Sequence, residues 1–342
     1  MWCVSRIRRV PSRCDSSHAS FDSASSLAES DSGLASMERM TSQQSKPGAV
    51  IDVGTNSVLL VVGRLDGEGQ LEFLRQEIRI PRLGQGLQAT GLISEGALER
   101  ASESLGELLV IAAEYGLIPA DVQVVATAAL RLASNGDQVA VRLEQATGCA
   151  LQVLQGNEEA RLSHRAVAMG NPNAVAVDVG GGSTEVVWDG GEERRSIELG
   201  AMTLSESFDG TSVSVRDSLA AARAWAREQL SDLPSGLAGD HPVALIGGSA
   251  VNLACLVKGL EQFDHTQADR VWVTTEQILS LAEDLWLEDV DQRRSRPIES
   301  ERVSILPAGL LCLGLALESL GAEGGWTRTV GLSHGLLGQL LA

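Results

Sequence analysis

The sequence predicts an α/β fold of two similar lobes around a cleft. Strand-like segments alternate with helical ones along most of the chain, which indicates an α/β architecture. One arrangement occurs twice: a β-branched strand, an aspartate followed by a glycine-containing turn, and a returning strand, at Asp52 and again at Asp178. The 342 residues suffice for two domains of about 150 residues each. A duplicated lobe would place its two turns opposite one another across the cleft.

In the first half, β-branched runs predict strands and 3.6-residue periodicity predicts helices. Ser94 is a suitable N-cap for the longest helix, and Gly116 lies just beyond its end. The predicted segments are strand–turn–strand over 49–65, strands at 72–82, 122–126 and 151–154, a loop at 84–87, and helices at 94–114, 135–147 and 156–169.

The second half repeats the theme and then becomes more helical. The predicted segments are strands at 174–179, 185–188 and 243–246, and helices at 215–230, 274–286, 302–320 and 335–341, with a further helix after the glycine loop 247–249. We expect lobe I over residues 48–157, lobe II over 158–327, and a return of 328–342 to lobe I.

Composition excludes several classes of function. A formal net charge of −18 repels polyanions, which argues against a DNA- or RNA-binding protein with a broad basic surface. No apolar run approaches the roughly 18 residues of a membrane span. The five scattered cysteines form no CxxC pair and favour a reducing cytoplasm over a disulfide framework. Any phosphate site must therefore be local, built from loop amides, a few arginines and a metal.

Residues 1–46 are serine-rich and carry several arginines near the start, without the apolar region of a secretory signal. We expect a disordered tail or an over-extended gene start, and we leave this stretch out of the fold prediction.

Two turns carry the chemistry. In the first, Gly54 can take a positive φ and lets backbone N–H groups approach an anion closely, and Asp52 could orient water or metal; an ordinary turn between strands is the alternative. In the second, three glycines suit a loop that wraps a phosphate, because their conformational entropy makes them costly in a merely structural turn. Asp178 and Glu185 flank that loop as paired carboxylates, which suit Mg²⁺ beside a phosphate.

A third segment, Gly156–Arg161, opens a helix with two acids. A carboxylate near a terminal phosphate can orient and deprotonate the attacking water. Acids in a first helical turn also stabilise the helix macrodipole, and spacing alone favours that ordinary role for both Glu158 and Glu159.

Together these segments resemble the Ppx/GppA phosphatase family of exopolyphosphatases and guanosine pentaphosphate phosphohydrolases. The matching motifs are Asp52-x-Gly-Thr-Asn-Ser, Ala126-Thr-Ala-Ala-Leu-Arg131, Gly156-Asn-Glu-Glu-Ala-Arg-Leu162 and Asp178-x-Gly-Gly-Gly-Ser-Thr-Glu185, with weaker blocks at 197–201, 302–309 and 331–337. The resemblance covers nearly everything after residue 47. It implies two actin-like lobes of the acetate and sugar kinase/Hsp70/actin, ribonuclease H-like type.

The resemblance also implies roles for individual residues. Glu159 matches the general base for water, and Arg131 could neutralise phosphate charge or form an interlobe salt bridge. The implied Mg²⁺ ligands are Asp52, Asp178 and Glu185. The implied phosphate-binding residues are Gly54, Thr55, Asn56, Ser57, Gly180, Gly181, Gly182, Ser183, Thr184, Gly247 and Gly248. The implied partner is a polyphosphate or guanosine polyphosphate substrate, and a homodimer is compatible with the resemblance.

The chain departs from the family pattern at three places. The family's later HG pair, which follows an aromatic-Asp segment, is absent from residues 263–270. The third glycine loop continues Ser249-Ala250-Val251 without the usual threonine pair, and in the closing block Thr329 and Ser333 stand where an aspartate and an arginine are usual. We expect these changes, at the rim of lobe II and in the closing segment, to affect substrate identity more than the hydrolytic machinery.

Two other functions use the same features. A sugar or acetate kinase shares the two glycine loops but lacks the block around Glu159. A non-catalytic regulator that binds (p)ppGpp would fit the altered third loop, yet it has no need of Glu159, Asp178 and Glu185.

Overall fold

The computed structural model describes residues 45–168, 173–208, 214–239 and 241–342. The expected tail, apart from its last two residues, lies outside this range. The described residues belong to one compact unit.

The described chain contains two sheets and the helices that cover them. The strands are β1 (Gly48–Val53), β2 (Val58–Leu65), β3 (Leu71–Arg79), β4 (Val122–Ala126), β5 (Leu151–Val153), β6 (Val175–Val179), β7 (Thr184–Trp188), β8 (Glu193–Ile197), β9 (Val243–Ile246), β10 (Trp272–Thr274) and β11 (Gly324–Thr327). The helices are α1 (Leu87–Thr90), α2 (Glu95–Ala113), α3 (Ala128–Leu132), α4 (Gly136–Thr147), α5 (Gly156–Ala168), α6 (Ala201–Phe208), α7 (Val215–Gln229), α8 (Gly248–Val257), α9 (Thr275–Leu287), α10 (Val290–Arg294), α11 (Leu306–Leu320) and α12 (Leu332–Leu341).

The two sheets share one topology. The first sheet has the order β3-β2-β1-β4-β5. Written in the same direction, the second sheet has the order β8-β7-β6-β9-β11-β10. In each, an antiparallel three-stranded meander (β1 to β3, β6 to β8) joins a parallel strand beside its first member (β4, β9). This repetition confirms the predicted duplication and the two-lobed, actin-like α/β fold.

Two helices lie between the sheets. Helix α12 packs against β1 and β2, α5 packs against β6, β7 and β8, and the two helices pack against each other. Leucines of α12 and Leu162 of α5 form one apolar cluster with Val50 and Val61 of the first sheet. The closing helix and α5 therefore hold the inner faces of the two sheets together. The lobe bounds 48–157, 158–327 and 328–342 stay a prediction.

The outer face of the second sheet carries the larger core. Helix α11 is its centre: thirteen of its residues are buried, and it packs against α6, α7, α8 and α9. The sequence predicted this helix from residue 302, but it starts at Leu306, because a 3₁₀ turn at Ser300–Arg302 precedes it and Pro307 sits in its first turn.

The predicted strands and helices are present, but several short elements were missed. Strand β8 (ERRSI) is charged and lies at a sheet edge, so it has no apolar alternation to detect. Strands β10 and β11 have three and four residues, which is too few for a periodic pattern. Helices α6 and α10 were also missed, and α12 begins three residues before the predicted 335.

No helix within the described ranges is long and apolar enough to cross a membrane. Cys149, Cys255 and Cys312 are buried and unpaired by disulfides.

The α5–α12 contact gives a test of the packing between the sheets. A Cβ at Gly335 would lie 2.1 Å from the backbone oxygen of Leu162, whereas one at Gly338 on the same helix would meet only a leucine methyl at 3.6 Å. We expect Gly335→Ala to lower the free energy of unfolding by about 2 kcal/mol. The matched control Gly338→Ala should raise it by up to about 1 kcal/mol, since alanine favours a helix. Urea denaturation measures both, and equal stabilities of the two variants would contradict the close contact.

Candidate active site

A cavity of about 300 Å³ lies where the two sheets, α5 and α12 meet. Most of the predicted site residues line it, from both halves of the chain: Asp52, Gly54, Thr55, Asn56, Ser57, Glu159, Asp178, Gly180, Gly181, Gly182, Ser183, Gly247 and Gly248. Three predicted residues do not line it: Arg131, Thr184 and Glu185.

The two glycine turns have the same hydrogen bond. The N–H of Gly54 donates to the carbonyl of Ser57 at 2.9 Å, and the N–H of Gly180 donates to the carbonyl of Ser183 at 2.9 Å. Both turns connect an antiparallel pair of strands at the end that faces the cavity. The duplicated lobes therefore present duplicated turns to one space.

The tips of the two turns are in contact. A Cβ at Gly181 would lie 3.0 Å from Cβ of Thr55, and one at Gly182 would lie 2.7 Å from its Oγ1. A Cβ at Gly181 would also lie 3.1 Å from the backbone nitrogen of Asn56. The close approach of the turns therefore requires the small residues at 181 and 182, a reason that the sequence did not reveal.

The first turn does not rely on a positive φ at Gly54. Gly54 is not among the glycines with positive φ in the described chain. A Cβ at this position would instead lie 2.9 Å from the carbonyl oxygen of Ser57, so the tightness of the turn selects glycine. In the third loop Gly247 does adopt a positive φ of 92°.

A buried arginine that sequence reasoning missed completes the third loop. Arg302 lies against Gly248, where an added Cβ would lie 2.0 Å from Cζ of the guanidinium. Its Nε donates to Glu299 at 2.6 Å, and its Nη2 donates to the hydroxyl of Ser57 in the first turn at 3.2 Å. Arg302 thus joins the first and third loops. Its position at the start of the 302–309 block was a feature of the sequence that could have identified it as a site residue.

Four carboxylates from different elements meet here. Asp178 and Glu185 are directly opposite on β6 and β7, so their side chains share a face. Asp52 lies on β1, and Glu159 lies in the first turn of α5. Ser163, four residues after Glu159 and so on the same side of α5, donates its hydroxyl to Asp178 at 2.9 Å.

Burial of these acids disfavours their charged forms. Withdrawal from water raises the pKa of Glu159 from 4.5 to about 7, with the Arg131 guanidinium opposing the shift and Asp178 adding to it. Withdrawal from water also raises the pKa of Asp178 from 3.8 to about 6. The pKa values of Asp52 and Glu185 are raised for the same reason, and the charges of Glu159 and Asp178 raise them further.

The predicted residues outside the cavity lining have other contacts. Arg131 donates to Glu159 at 3.2 Å and to the carbonyl of Leu154 at 2.9 Å, so its guanidinium holds Glu159. Thr184 is buried and donates to the carbonyl of Leu199. Glu185 is 2% exposed and accepts a hydrogen bond from Ser196 at 2.9 Å. The structure thus places Glu185 beside Asp178 on the same face of the sheet, but outside the cavity lining.

Unpaired polar atoms concentrate at the cavity. Asp52 Oδ1, both amide atoms of Asn56 and Ser333 Oγ are buried and have no hydrogen-bond partner within the described chain. All three residues line the cavity. Because a buried polar atom without a partner costs about 1–3 kcal/mol, these atoms indicate a place where a polar ligand binds.

The altered closing block also reaches this cavity. Thr329 and Ser333, together with Arg328 and His334, line it beside Asp52 and Asp178. Arg328 and the N–H of Thr329 each donate to Asp269 at 3.0 Å. The substituted positions therefore belong to the same cavity lining as Asp52 and Asp178.

Comparison with known proteins agrees with this geometry. The model of the Ppx/GppA phosphatase family matches residues 60–342. The PPX-GPPA enzyme of Aquifex aeolicus is 26% identical, with a TM-score of 0.70, over 86% of this chain and 99% of that one. An exopolyphosphatase from Cytophaga hutchinsonii is 22% identical, with a TM-score of 0.74, over 86% of this chain and 97% of that one, and it supports the fold alone.

The family match covers well over half of the chain, and the solved relative matches over nearly its full length. The chain belongs to the Ppx/GppA phosphatase family.

Proposed function

We propose that this protein hydrolyses the terminal phosphoanhydride bond of inorganic polyphosphate or of pppGpp, that it depends on Mg²⁺, and that Glu159 activates the water. The observation that carries the proposal is the position of Glu159. Its carboxylate lines the cavity between the two glycine turns, and burial raises its pKa to about 7. A base with a pKa near the working pH is well matched to proton transfer.

The chain supplies groups for each part of the reaction. Water attacks the terminal phosphorus, its proton passes to Glu159, and the shortened phosphate chain leaves. The two glycine turns offer N–H groups and the side chains of Thr55, Asn56 and Ser57 to phosphate oxygens. Arg302 adds a cation between the first and third loops. Positioning and charge neutralisation of this kind account for most of the catalysis of phosphoryl transfer.

The donor set fits a hard divalent cation. Four carboxylates with raised pKa values converge on the site, and Asp52 Oδ1 is a buried oxygen without a partner. No group of three or more acidic, histidine or cysteine side chains within the described residues encloses a metal by itself. Mg²⁺ commonly binds through one or two carboxylates, with water and substrate phosphates completing its shell. We assign Asp52 and Asp178 as the residues that would hold it, where it would neutralise phosphate charge.

In this proposal Glu185 and Arg131 act indirectly, through Asp178 and Glu159. Glu185 lies opposite Asp178 and is fixed by Ser196, so it orients Asp178 and adds negative charge near the cation. Arg131 fixes the carboxylate of Glu159 and is a positioning residue. We also place the protein in the cytoplasm, which the free thiols of Cys149, Cys255 and Cys312 support.

The two proposed substrates are a polymer, inorganic polyphosphate, and a nucleotide, pppGpp. Both carry a terminal phosphate. The assay therefore uses tripolyphosphate, longer defined polyphosphates and pppGpp side by side. The higher kcat/KM identifies the substrate.

The role of Glu159 predicts a large and specific loss. We expect Glu159→Gln to lower kcat by about 10²- to 10⁴-fold, because it removes the general base, with KM changed only a few-fold. The neighbouring Glu158→Gln is the matched control, since Glu158 does not line the cavity, and it should keep kcat within about twofold. Steady-state phosphate release measures both. A Glu159→Gln enzyme with more than a tenth of wild-type kcat would contradict the assignment.

Burial of the acids predicts how stability changes with pH. In EDTA, the free energy of unfolding should fall as pH rises from about 4.5 to about 7, because folded Glu159 retains its proton up to its pKa of about 7 while the unfolded carboxyl loses it near 4.5. Below this window both states are protonated, and above it the loss is complete. Between pH 4 and pH 8, the free energy of unfolding of the wild type should fall by on the order of 3 kcal/mol more than that of Glu159→Gln.

Urea denaturation in EDTA at pH 4, 6 and 8 gives this difference, with Glu158→Gln as the control. Adding Mg²⁺ at pH 8 should raise the stability of the wild type, since the cation binds the folded carboxylates. If Glu159→Gln has the wild-type dependence on pH, burial of Glu159 does not govern the stability of the cleft.

A further inference from the structure

The lining of the cavity includes Leu59, Gln76, Ile78, Ser333 and His334, and we call the part of the cavity beside these residues the rear arm. Asp52, Leu59 and Ile78 are neighbours in register across β1, β2 and β3, so they share one face of the sheet. Strand β3 is the edge of that sheet, and Ile78 is 39% exposed. The rear arm therefore runs from the catalytic carboxylates towards the surface at the edge of the first sheet.

The first turn of α12 covers the rear arm. The N–H groups of Leu332 and Ser333 lie in this turn, where a helix provides no internal acceptor for them. The amino end of a ten-residue helix also carries partial positive charge. Both residues line the cavity. These donors favour an anion over a neutral ligand.

Ser333 provides an independent observation. Its side chain is 1% exposed, and its hydroxyl has no hydrogen-bond partner within the described chain although it lines the cavity. A hydroxyl buried without an acceptor is costly, and an oxyanion supplies acceptor oxygens. The Ser333 hydroxyl and the two first-turn N–H groups match the several oxygens of a tetrahedral anion.

We propose that Ser333 and the first turn of α12 form a second anion subsite that receives the orthophosphate released by hydrolysis; the identity of the anion rests on the proposed function. In that reaction the oxygen of water bonds to the terminal phosphorus, its proton goes to Glu159, the bridging P–O bond breaks, and the shortened chain keeps the bridging oxygen. Orthophosphate then lies between Glu159 and the shortened chain. The rear arm lets the product move away while the chain stays bound.

At the outer end of the rear arm, Gln76 and His334 are neutral, and Glu77, which also lines the cavity, is paired with two arginines, Arg75 and Arg79. His334 Nδ1 accepts the N–H of Gly331 at 3.2 Å, so its Nε2–H donates to Oε1 of Gln76, also at 3.2 Å. Burial lowers the pKa of His334 to about 4, which keeps the ring neutral at physiological pH. A neutral, hydrogen-bonded pair at this end fits a route for departure, whereas the binding donors lie deeper.

The test is calorimetric titration of inorganic phosphate into the full chain with Mg²⁺. We expect Ser333→Ala to weaken phosphate binding about tenfold, as for a lost hydrogen bond to a charged group, and Ser333→Thr, which keeps the hydroxyl, to stay within about threefold of wild type. Ser319→Ala is the matched control, because the Ser319 hydroxyl donates to the carbonyl of Leu315 and Ser319 does not line the cavity, and it should bind phosphate as wild type does. Equal affinity of folded Ser333→Ala and wild type would overturn the subsite.

Inhibition kinetics test the same subsite in the unaltered protein. Orthophosphate should inhibit tripolyphosphate hydrolysis noncompetitively, because the rear arm and the substrate site hold different anions. Purely competitive inhibition would overturn the subsite, including in the case where the Ser333 variants are unstable. If the wild type hydrolyses no substrate but binds phosphate through Ser333, the proposed function fails and the anion subsite stands.

Discussion

The structure depends on the burial of four carboxylates where the two sheets meet. Asp52, Asp178 and Glu185 come from strands, and Glu159 comes from α5. Within the described chain, Arg131 forms an ion pair with one of them, Glu159. Taking charges out of water is costly unless opposite charges compensate them. The raised pKa values of the four carboxyl groups result from this excess of buried negative charge. A cation and the hydrogen-bond donors around a phosphate chain would compensate it.

The fold makes this arrangement possible through close packing between its halves. The two glycine turns touch at Thr55 and Gly181, and α12 contacts the backbone of α5 at Gly335. Small residues at these contacts bring the carboxyl-bearing elements close enough to share one cavity. Arg302 adds a link between the first and third loops through Ser57 and Gly248. Lobe closure around a substrate would exclude bulk water from this space and strengthen its electrostatic interactions.

Much of this could be predicted from the sequence, and the omissions have physical causes. The strand–turn–strand pattern around Asp52 and Asp178 is local, so the duplicated lobes and the convergence of the turns followed from it. The sequence could not show that Gly181 and Gly182 are needed for contact with Thr55, because that contact is between distant segments.

Other site features were equally non-local. Arg302 pairs with Glu299, three residues away. Nothing near it in the sequence indicates its second contact, with Ser57, which is 245 residues away. Contacts with the following strand and loop decided which residues reach the cavity: Glu185 and Thr184 follow the second turn directly, yet they bond to Ser196 and Leu199. The family resemblance supplied the role of Glu159, which helical spacing alone did not favour.

In the proposed reaction, water attacks a terminal phosphate in a cleft that needs a cation. Phosphate release from tripolyphosphate and pppGpp in ¹⁸O-enriched water, with Mg²⁺ or with EDTA, tests this reaction when the orthophosphate is analysed by mass spectrometry. The proposed hydrolysis predicts one ¹⁸O atom in each released orthophosphate with Mg²⁺ and no release with EDTA. Tight binding of pppGpp without Mg²⁺-dependent release of orthophosphate from either substrate would contradict it and indicate a protein that senses the nucleotide without hydrolysing it.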